Sequence, residues 1–168
     1  MDNTVLAPDG APIDTANVVD SGIDAPVDSR ACTGGDGAMT AADGSCIVLF
    51  TTPQNFAAAD ASCIAIDSRL AILNTADRDA IAKALIGTAD VWIGLGDQVA
   101  ENTFVWVDGT PLVFENFFTD EPNNANGAFE EDCVMYSGSR GGWDDRPCSN
   151  AVANIGATPT EYPFLCMF

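Results

Sequence analysis

The sequence contains no histidine, and that absence excludes several kinds of functional site. Histidine is the side chain whose charge changes near neutral pH, the usual general base of nucleophilic triads, and a common zinc ligand. A histidine-dependent hydrolase and a histidine-ligated metal site are therefore both excluded. Any acid–base chemistry in this chain would depend on carboxylates alone.

Basic residues are scarce as well. Six Lys and Arg stand against 25 Asp and Glu in 168 residues, which gives a formal net charge of −19. A surface of this charge repels nucleic acid and anionic lipid and attracts cations. High acidity also keeps a secreted protein soluble, but solubility does not explain why many of the acids are concentrated in one stretch.

Long apolar runs are missing: none could span a membrane, and the start of the chain lacks the basic and apolar regions of a signal peptide. The six Cys include no CxxC pair, which argues against zinc and thioredoxin-like sites and favours disulfides. Because disulfides persist in oxidising compartments, we expect a secreted or extracellular protein, surface-attached forms included, whose targeting segment has been removed. The lack of an Asn-x-Ser/Thr sequon favours a bacterial source.

Residues 1–31 differ in character from the rest. Ala, Pro, Asp and other small residues dominate them, and aromatic residues are absent. Because such a segment cannot bury enough apolar surface to form a core, we interpret it as an acidic linker or stalk. A second interpretation is a docking strand added to this or a neighbouring subunit, which would produce a homo-oligomer or filament. The residues of that strand would be Val18, Val19, Ile23 and Val27.

Residues 32–168 form the predicted domain. Apolar residues at helical spacing predict a first helix over residues 53–66, with Pro53 in its first turn. Asn74 or Thr75 begins a second helix that runs to about Leu85. The domain begins with a Gly/Asp-rich loop from Cys32 to Cys46. Strands are predicted after it, at residues 46–50, 69–73, 91–95, 104–107 and 134–136, around Trp143, and at residues 163–168. Helices come early and strands late, so the fold class is α+β.

The stretch from Asp120 to Asp145 has the clearest chemistry, because oxygen-bearing side chains crowd both of its ends. Calcium takes several oxygen ligands, from carboxylates, amides and carbonyls, at about 2.3–2.6 Å. We therefore predict a calcium site whose ligands are Glu121, Asn123, Glu131, Asp144 and Asp145. Since the acids are explained as metal ligands and no nucleophile stands beside a base, we do not expect an enzyme.

Several short motifs occur in order: Trp92-Ile-Gly-Leu95, Glu121-Pro-Asn123, Glu131-Asp-Cys133, Trp143-Asp-Asp145, Cys148 and Phe164-Leu-Cys166. In this order and at this spacing they resemble the C-type lectin domain, in its long form, over about residues 32–168. The resemblance implies an α+β fold with two helices, a small antiparallel sheet, a long calcium-binding loop and three disulfides. The implied disulfides are Cys32–Cys46, Cys63–Cys166 and Cys133–Cys148.

The resemblance also implies roles for single residues. The family's principal calcium site falls on the five ligands named above, and Pro122 corresponds to a cis proline that aims Glu121 and Asn123 at one ion. An auxiliary calcium site would use Asp97, Glu101, Asn124 and Asp132. Solvated loop charge is the alternative interpretation of Asp97 and Glu101.

The function implied is calcium-dependent binding of glycans, in which sugar hydroxyls donate to carboxylates and accept from Asn amides. The order Glu121-Pro122-Asn123 is the version associated with mannose, glucose, N-acetylglucosamine and fucose. Asp144 departs from the family, which has Asn there, because a carboxylate only accepts whereas an amide also donates. We expect this change to weaken sugar binding and to tighten calcium binding. The alternative function is a structural or adhesive subunit that has a calcium-stabilised lectin-like fold and polymerises through its N-terminal segment.

Aromatic and basic residues near these motifs have simpler interpretations. Trp92, Trp106 and Trp143 lie in strand-like runs and are predicted to be core residues rather than platforms for sugar stacking. Arg140 and Arg146 bracket the Trp-Asp-Asp motif and are expected to balance its charge, with contact to an acidic sugar as the alternative for Arg140. Phe129 is expected to pack, with contact to a sugar or a partner as the alternative.

Overall fold

The structure is a computed structural model, and it describes residues 31–124, 130–149 and 160–168. The predicted linker or docking strand, which includes Val18, Val19, Ile23 and Val27, lies outside the described residues, and so does Phe129. Within the described ranges, no helix has both the length and the apolar character needed to cross a membrane.

Eight strands are assigned in the described residues, and all of them belong to one sheet. They are β1 (Gly37–Thr40), β2 (Cys46–Gln54), β3 (Arg69–Leu70), β4 (Asp90–Gly96), β5 (Val105–Trp106), β6 (Cys133–Ser137), β7 (Gly142–Arg146) and β8 (Tyr162–Met167). The main path runs β1-β2-β8-β4-β6-β7, with β3 paired to β8 and β5 paired to β4. The last strand of the chain therefore lies in the middle of the sheet.

The sheet is mixed rather than purely antiparallel. β4 and β8 are parallel where Trp92 pairs with Phe164, whereas the other paired strands run antiparallel. The exception arises because β8 inserts between β2 and β4 and runs in the same direction as β4. The α+β class and the two helices predicted from the sequence are present.

The two predicted helices are present with shifted ends. They are α1, Phe56–Ile64, and α2, Ala76–Ile86. Asn55 caps α1, because its side chain accepts a hydrogen bond from the amide N of Ala58 at 2.9 Å and so satisfies a free amide of the first turn. Pro53 therefore belongs to β2, and the prediction of a helix start at residue 53 is wrong.

The second helix follows its sequence signals more closely. Thr75, not Asn74, is the N-cap, and its hydroxyl accepts from the amide N of Arg78 at 3.3 Å. Gly87 ends the helix with φ of 61°, a conformation that costs glycine little. The helix thus runs one residue beyond the predicted end at Leu85.

Two strand predictions differ from the structure. The predicted strand over residues 69–73 is reduced to β3, although the next residue still joins the sheet: Ala71 donates to the Leu165 carbonyl at 2.8 Å and accepts from Gly94 at 2.9 Å. The loop predicted between Cys32 and Cys46 contains β1, which was missed because Gly and Ala have low β propensity.

The three Trp form part of the core, as predicted, with Trp92, Trp106 and Trp143 at most 1% exposed. Trp143 packs edge-to-face against Trp106, with ring centroids 5.7 Å apart, and against Phe117 at 5.6 Å. Aromatic pairs of this geometry stabilise a core by about 0.5–1.5 kcal/mol beyond their buried area. Because Trp143 directly precedes Asp144, the core fixes the strand that carries the predicted ligands.

The disulfides join the pairs that the resemblance implies: Cys32–Cys46, Cys63–Cys166 and Cys133–Cys148. The second bridge ties α1 to the central strand β8 across a separation of 103 residues. The third closes a segment of 15 residues that contains β6 and β7. The first anchors the start of the domain to β2.

Removal of the long-range bridge should cost more stability than removal of the short one. Chain entropy gives about 4.7 kcal/mol for a loop near 100 residues and about 3 kcal/mol for one near 15. We therefore expect Cys63→Ala/Cys166→Ala to lower the free energy of unfolding more than Cys133→Ala/Cys148→Ala, by about 1.7 kcal/mol. Urea denaturation in chelator, where any metal contribution is removed, measures both variants, and equal losses would contradict the expectation.

Candidate functional site

The predicted Glu-Pro-Asn segment forms a loop between β5 and β6. The Glu121–Pro122 peptide bond is cis, as the resemblance implied. Both oxygens of the Asp145 carboxylate accept backbone hydrogen bonds from this loop, Oδ1 from Asn123 at 3.1 Å and Oδ2 from Asn124 at 2.8 Å. Asp145 on β7 therefore holds the loop in place as well as contributing charge.

Three of the predicted ligands converge on one point. One carboxylate oxygen from each of Glu121, Asp144 and Asp145 lies within 4.8 Å of the other two. Asp144 and Asp145 are each 2% exposed, so water screens their charges weakly. Oε2 of Glu121 is also buried and has no hydrogen-bond partner among the described residues. We refer to these three residues as the principal cluster.

The electrostatics of the principal cluster disfavour three negative charges. Burial, followed by repulsion from Asp144 and a hydrogen bond with Asp145, raises the pKa of Glu121 to about 7. Burial also raises the pKa of Asp144, although the charge of Arg146 opposes that shift. A positive ion placed among these oxygens would relieve the repulsion, which is the property expected of a cation site.

Glu131 and Asn123, the other two predicted ligands, border the principal cluster. Glu131 is 5% exposed, and its amide N donates to Oδ1 of Asn124 at 2.7 Å. Its Oε1 lies 3.8 Å from Nη1 of Arg146, whose Nη2 contacts Oδ2 of Asp144. Asn123 is held through its backbone by Asp145.

A second group of acids lies on the other side of Asn124. Carboxylate oxygens of Glu101, Glu130 and Asp132 lie within 4.8 Å of one another. The Asn124 amide donates to Glu101 at 2.7 Å and to Glu130 at 2.6 Å. We refer to these three acids as the auxiliary cluster. It contains two of the predicted auxiliary ligands together with Glu130, which was not predicted.

Asp97, also predicted for the auxiliary site, is placed beside this cluster but outside it. Its Oδ2 accepts from the amide N of Asn102 at 2.9 Å, whereas its buried Oδ1 has no hydrogen-bond partner among the described residues. Burial, with repulsion from Asp132, raises the pKa of Asp97. Burial and repulsion within the cluster likewise raise the pKa of Glu101 and of Asp132.

The assignment of Glu130 follows a signal present in the sequence. Side chains alternate between opposite sides of an extended chain. In the run Glu130-Glu131-Asp132, the outer two residues therefore both join Glu101 in the auxiliary cluster, while Glu131 faces Arg146.

A half-buried carboxylate behind the site, Asp79, was missed by sequence reasoning. Asp79 on α2 accepts from Nε1 of Trp143 and from Nδ2 of Asn116, both at 2.9 Å, and from the Tyr136 hydroxyl at 3.3 Å. The backbone of Asn116 in turn accepts from the amide N of Trp143 at 2.7 Å. Asp79 thus ties α2 to the strand that carries Asp144 and Asp145. Burial raises its pKa, and these hydrogen bonds oppose the shift.

Comparison with known families gives one match over most of the domain. The family described as Lectin C-type domain matches residues 52–155. The mouse low affinity immunoglobulin epsilon Fc receptor is 39% identical over 87 residues, which are 52% of this chain and 25% of the receptor. Human tetranectin is 29% identical over 129 residues, which are 73% of this chain and 59% of tetranectin. The chain therefore spans less than two thirds of these relatives, both of which are animal proteins, and the expected bacterial source stays a prediction.

Solved structures share the fold. The human scavenger receptor C-type lectin carbohydrate-recognition domain has a TM-score of 0.68 at 24% identity, covering 81% of this chain and 98% of that one. A calcium-independent type II antifreeze protein has a TM-score of 0.63 at 22% identity, covering 81% of this chain and 94% of that one. At these identities the likeness concerns the fold alone.

Substitution of Asp79 should disturb the site through Trp143. Asp79→Asn puts an amide NH₂ where a carboxylate accepts from three donors, so at least one donor loses its partner, which costs about 1–3 kcal/mol. We expect a lower melting temperature and a several-fold weaker affinity for calcium, measured by calorimetric titration. Asp90→Asn is the matched control, because the Ser137 hydroxyl that donates to Asp90 at 2.8 Å can also accept. Equal effects of the two variants would contradict a positioning role for Asp79.

The pKa of Glu121 predicts an unusual pH dependence in metal-free protein. The folded value of about 7 lies above the ordinary 4.5, so between these values the folded state binds more protons than the unfolded state. The contribution of Glu121 to stability is therefore present below about pH 4.5 and is lost as the pH rises to 7. In EDTA, the melting temperature should rise as the pH falls from 8 to about 5.5, and Glu121→Gln should flatten this slope. An unchanged slope in the variant would contradict the assignment.

Proposed function

The chain belongs to the C-type lectin domain family, whose members are non-catalytic binding domains, and on that premise we propose that it binds carbohydrate in a calcium-dependent manner. The observation that carries the proposal is the convergence of Glu121, Asp144 and Asp145 beside a loop of Glu-Pro-Asn sequence. The three disulfides support a secreted or extracellular location, attachment to a cell surface included.

The residues present fit a calcium ion. Calcium prefers hard oxygen ligands, and the principal cluster offers carboxylates that include a buried oxygen of Glu121 to which no described residue hydrogen-bonds. The proposed ligands are Glu121, Asn123, Glu131, Asp144 and Asp145, and a second ion would use Asp97, Glu101, Asn124 and Asp132 with Glu130 added. When bound, calcium would supply open coordination positions for two neighbouring hydroxyls of a sugar.

The chain's own side chains would then orient the sugar. An ionised carboxylate accepts a hydroxyl proton and an Asn amide donates to a hydroxyl oxygen, so Glu121 and Asn123 form an acceptor–donor pair. Their order around Pro122 supports ligands of the mannose, glucose, N-acetylglucosamine and fucose class. Because one sugar ring buries little area, the affinity of a single site should be weak, and useful binding would depend on multivalent glycans.

Asp144 limits this binding. Its carboxylate cannot donate, and its Oδ2 already accepts from Arg146. A hydroxyl on that side would lose one hydrogen bond in a charged site, which costs about 1.5–3 kcal/mol. The same observation favours a second candidate function, a structural or adhesive subunit that uses calcium only to stabilise the fold.

A glycan array in saturating calcium and in EDTA tests the proposal. We expect calcium-dependent signals for glycans with terminal mannose-class residues, and stronger signals from Asp144→Asn, which restores an amide donor. Glu121→Gln/Asn123→Asp is the matched control, since it keeps the size of both side chains and exchanges their donor and acceptor roles, and it should lose these signals. Absence of any calcium-dependent signal would overturn the lectin proposal. Calcium-dependent stability without sugar binding, with ordered polymers in electron micrographs, would support the second candidate.

A further inference from the structure

Arg146 places a positive charge at the edge of the principal cluster. Its Nη2 contacts Oδ2 of Asp144 and its Nη1 lies 3.8 Å from Oε1 of Glu131. The Asp144 and Glu131 side chains are 2% and 4% exposed, whereas the Arg146 side chain is 30% exposed. The guanidinium therefore caps two buried carboxylates from the solvent side.

The other basic residues in the described ranges are engaged elsewhere. Arg140 stacks on the ring of Phe118 at 4.5 Å, and Arg78 pairs with Asp43 at 2.8 Å. Lys83 donates to the Gly138 carbonyl and Arg69 pairs with Asp108. Arg140 acts on Asp144 only through its field. Of the described basic residues, Arg146 is thus the one whose guanidinium contacts carboxylates of the proposed calcium site.

A buried carboxylate without a counter-charge is costly, and removal of one partner of a buried ion pair leaves the other uncompensated. When no metal is bound, Arg146 supplies the counter-charge for Asp144 and Glu131. The same contacts oppose a bound cation, since one positive charge already stands beside the ligands and one oxygen of Asp144 is already used.

We propose that Arg146 is a built-in counter-ion that sets the calcium affinity of the principal cluster. It holds Asp144 and Glu131 in place in the metal-free protein and lowers the affinity of these carboxylates for a divalent ion. This inference rests on the proposed function, because it concerns regulation of the same site. We therefore expect a dissociation constant of about 10⁻⁴–10⁻³ M, the range of extracellular calcium-binding modules.

Calcium titration by calorimetry, with melting curves in EDTA and in calcium, tests the proposal on the whole chain. Arg146→Met should bind calcium about tenfold more tightly, because a repelling charge is removed. Its melting temperature in EDTA should fall, and its stabilisation by calcium should exceed that of the wild type. Arg146→Lys keeps the charge and should remain close to the wild type. Arg140→Met is the matched control on the other side of Trp143 and should change calcium affinity by less than about threefold.

The outcomes separate the inference from the function on which it rests. A wild-type protein that binds no calcium at millimolar concentration overturns the proposed function, and the affinity-setting role of Arg146 with it. A wild-type protein that binds calcium while Arg146→Met has the same affinity and the same melting temperature in EDTA overturns the inference alone. If Arg146→Met does not fold without calcium, its affinity is measured from the calcium-loaded state by competition with a chelating dye, and only tighter binding supports the proposal.

Discussion

Mutual repulsion between closely spaced carboxylates is the constraint on which this structure depends. The principal and auxiliary clusters bring six acids into two small volumes, in a chain that has only six basic residues. Asn124 stands between them: its backbone amide donates to Asp145, its side-chain amide to Glu101 and Glu130, and its Oδ1 accepts from Glu131. Asn124 therefore links the two clusters by hydrogen bonds.

Carboxylates that repel one another stay close only on a rigid backbone. Strand pairing, a disulfide and core packing provide that rigidity. Asp145 is paired with Val134 across β6 and β7, and the bridge from Cys133 to Cys148 closes the same segment. Trp143 is enclosed by aromatic rings, and its indole N–H donates to Asp79 on α2. Because hydrogen bonds and packing fix these strands, the acids stay close despite their repulsion, and burial and repulsion raise the pKa of Glu121 while burial raises that of Asp144.

The sequence predicted those features that depend on local pattern or on ordered motifs. The two helices and the burial of Trp92 could be read from local pattern, and the resemblance carried by the ordered motifs implied the cis bond before Pro122. The early start of α1 was wrong because Pro53 suits a strand end as well as a first turn, and the choice is made by Asn55, whose side chain captures the amide of Ala58. The mixed sheet could not be derived, since strand order depends on where β8 inserts.

Tertiary contacts account for the site residues that sequence reasoning missed. In the sequence, Asp79 is one of the acids in the first turn of a helix, and nothing nearby marks it as special. Its partners Trp143 and Asn116 lie 64 and 37 residues further along the chain, and only the folded structure brings them to it. Arg146 was expected to balance charge, but its particular partners, Asp144 and Glu131, follow from the side on which β7 presents it.

The Asp144–Arg146 pair changes how the departure from the family should be interpreted. Taken alone, Asp in place of Asn adds a negative charge and should tighten calcium binding. The contact with Arg146 neutralises that charge, so the Asp144–Arg146 pair is as neutral as an Asn amide. The carboxylate of Asp144 still cannot donate an N–H to a sugar hydroxyl, as an Asn amide would. The negative charge of Asp144 is thus compensated by Arg146, whereas the amide donor is lost. For that reason calcium affinity and sugar recognition need not change together.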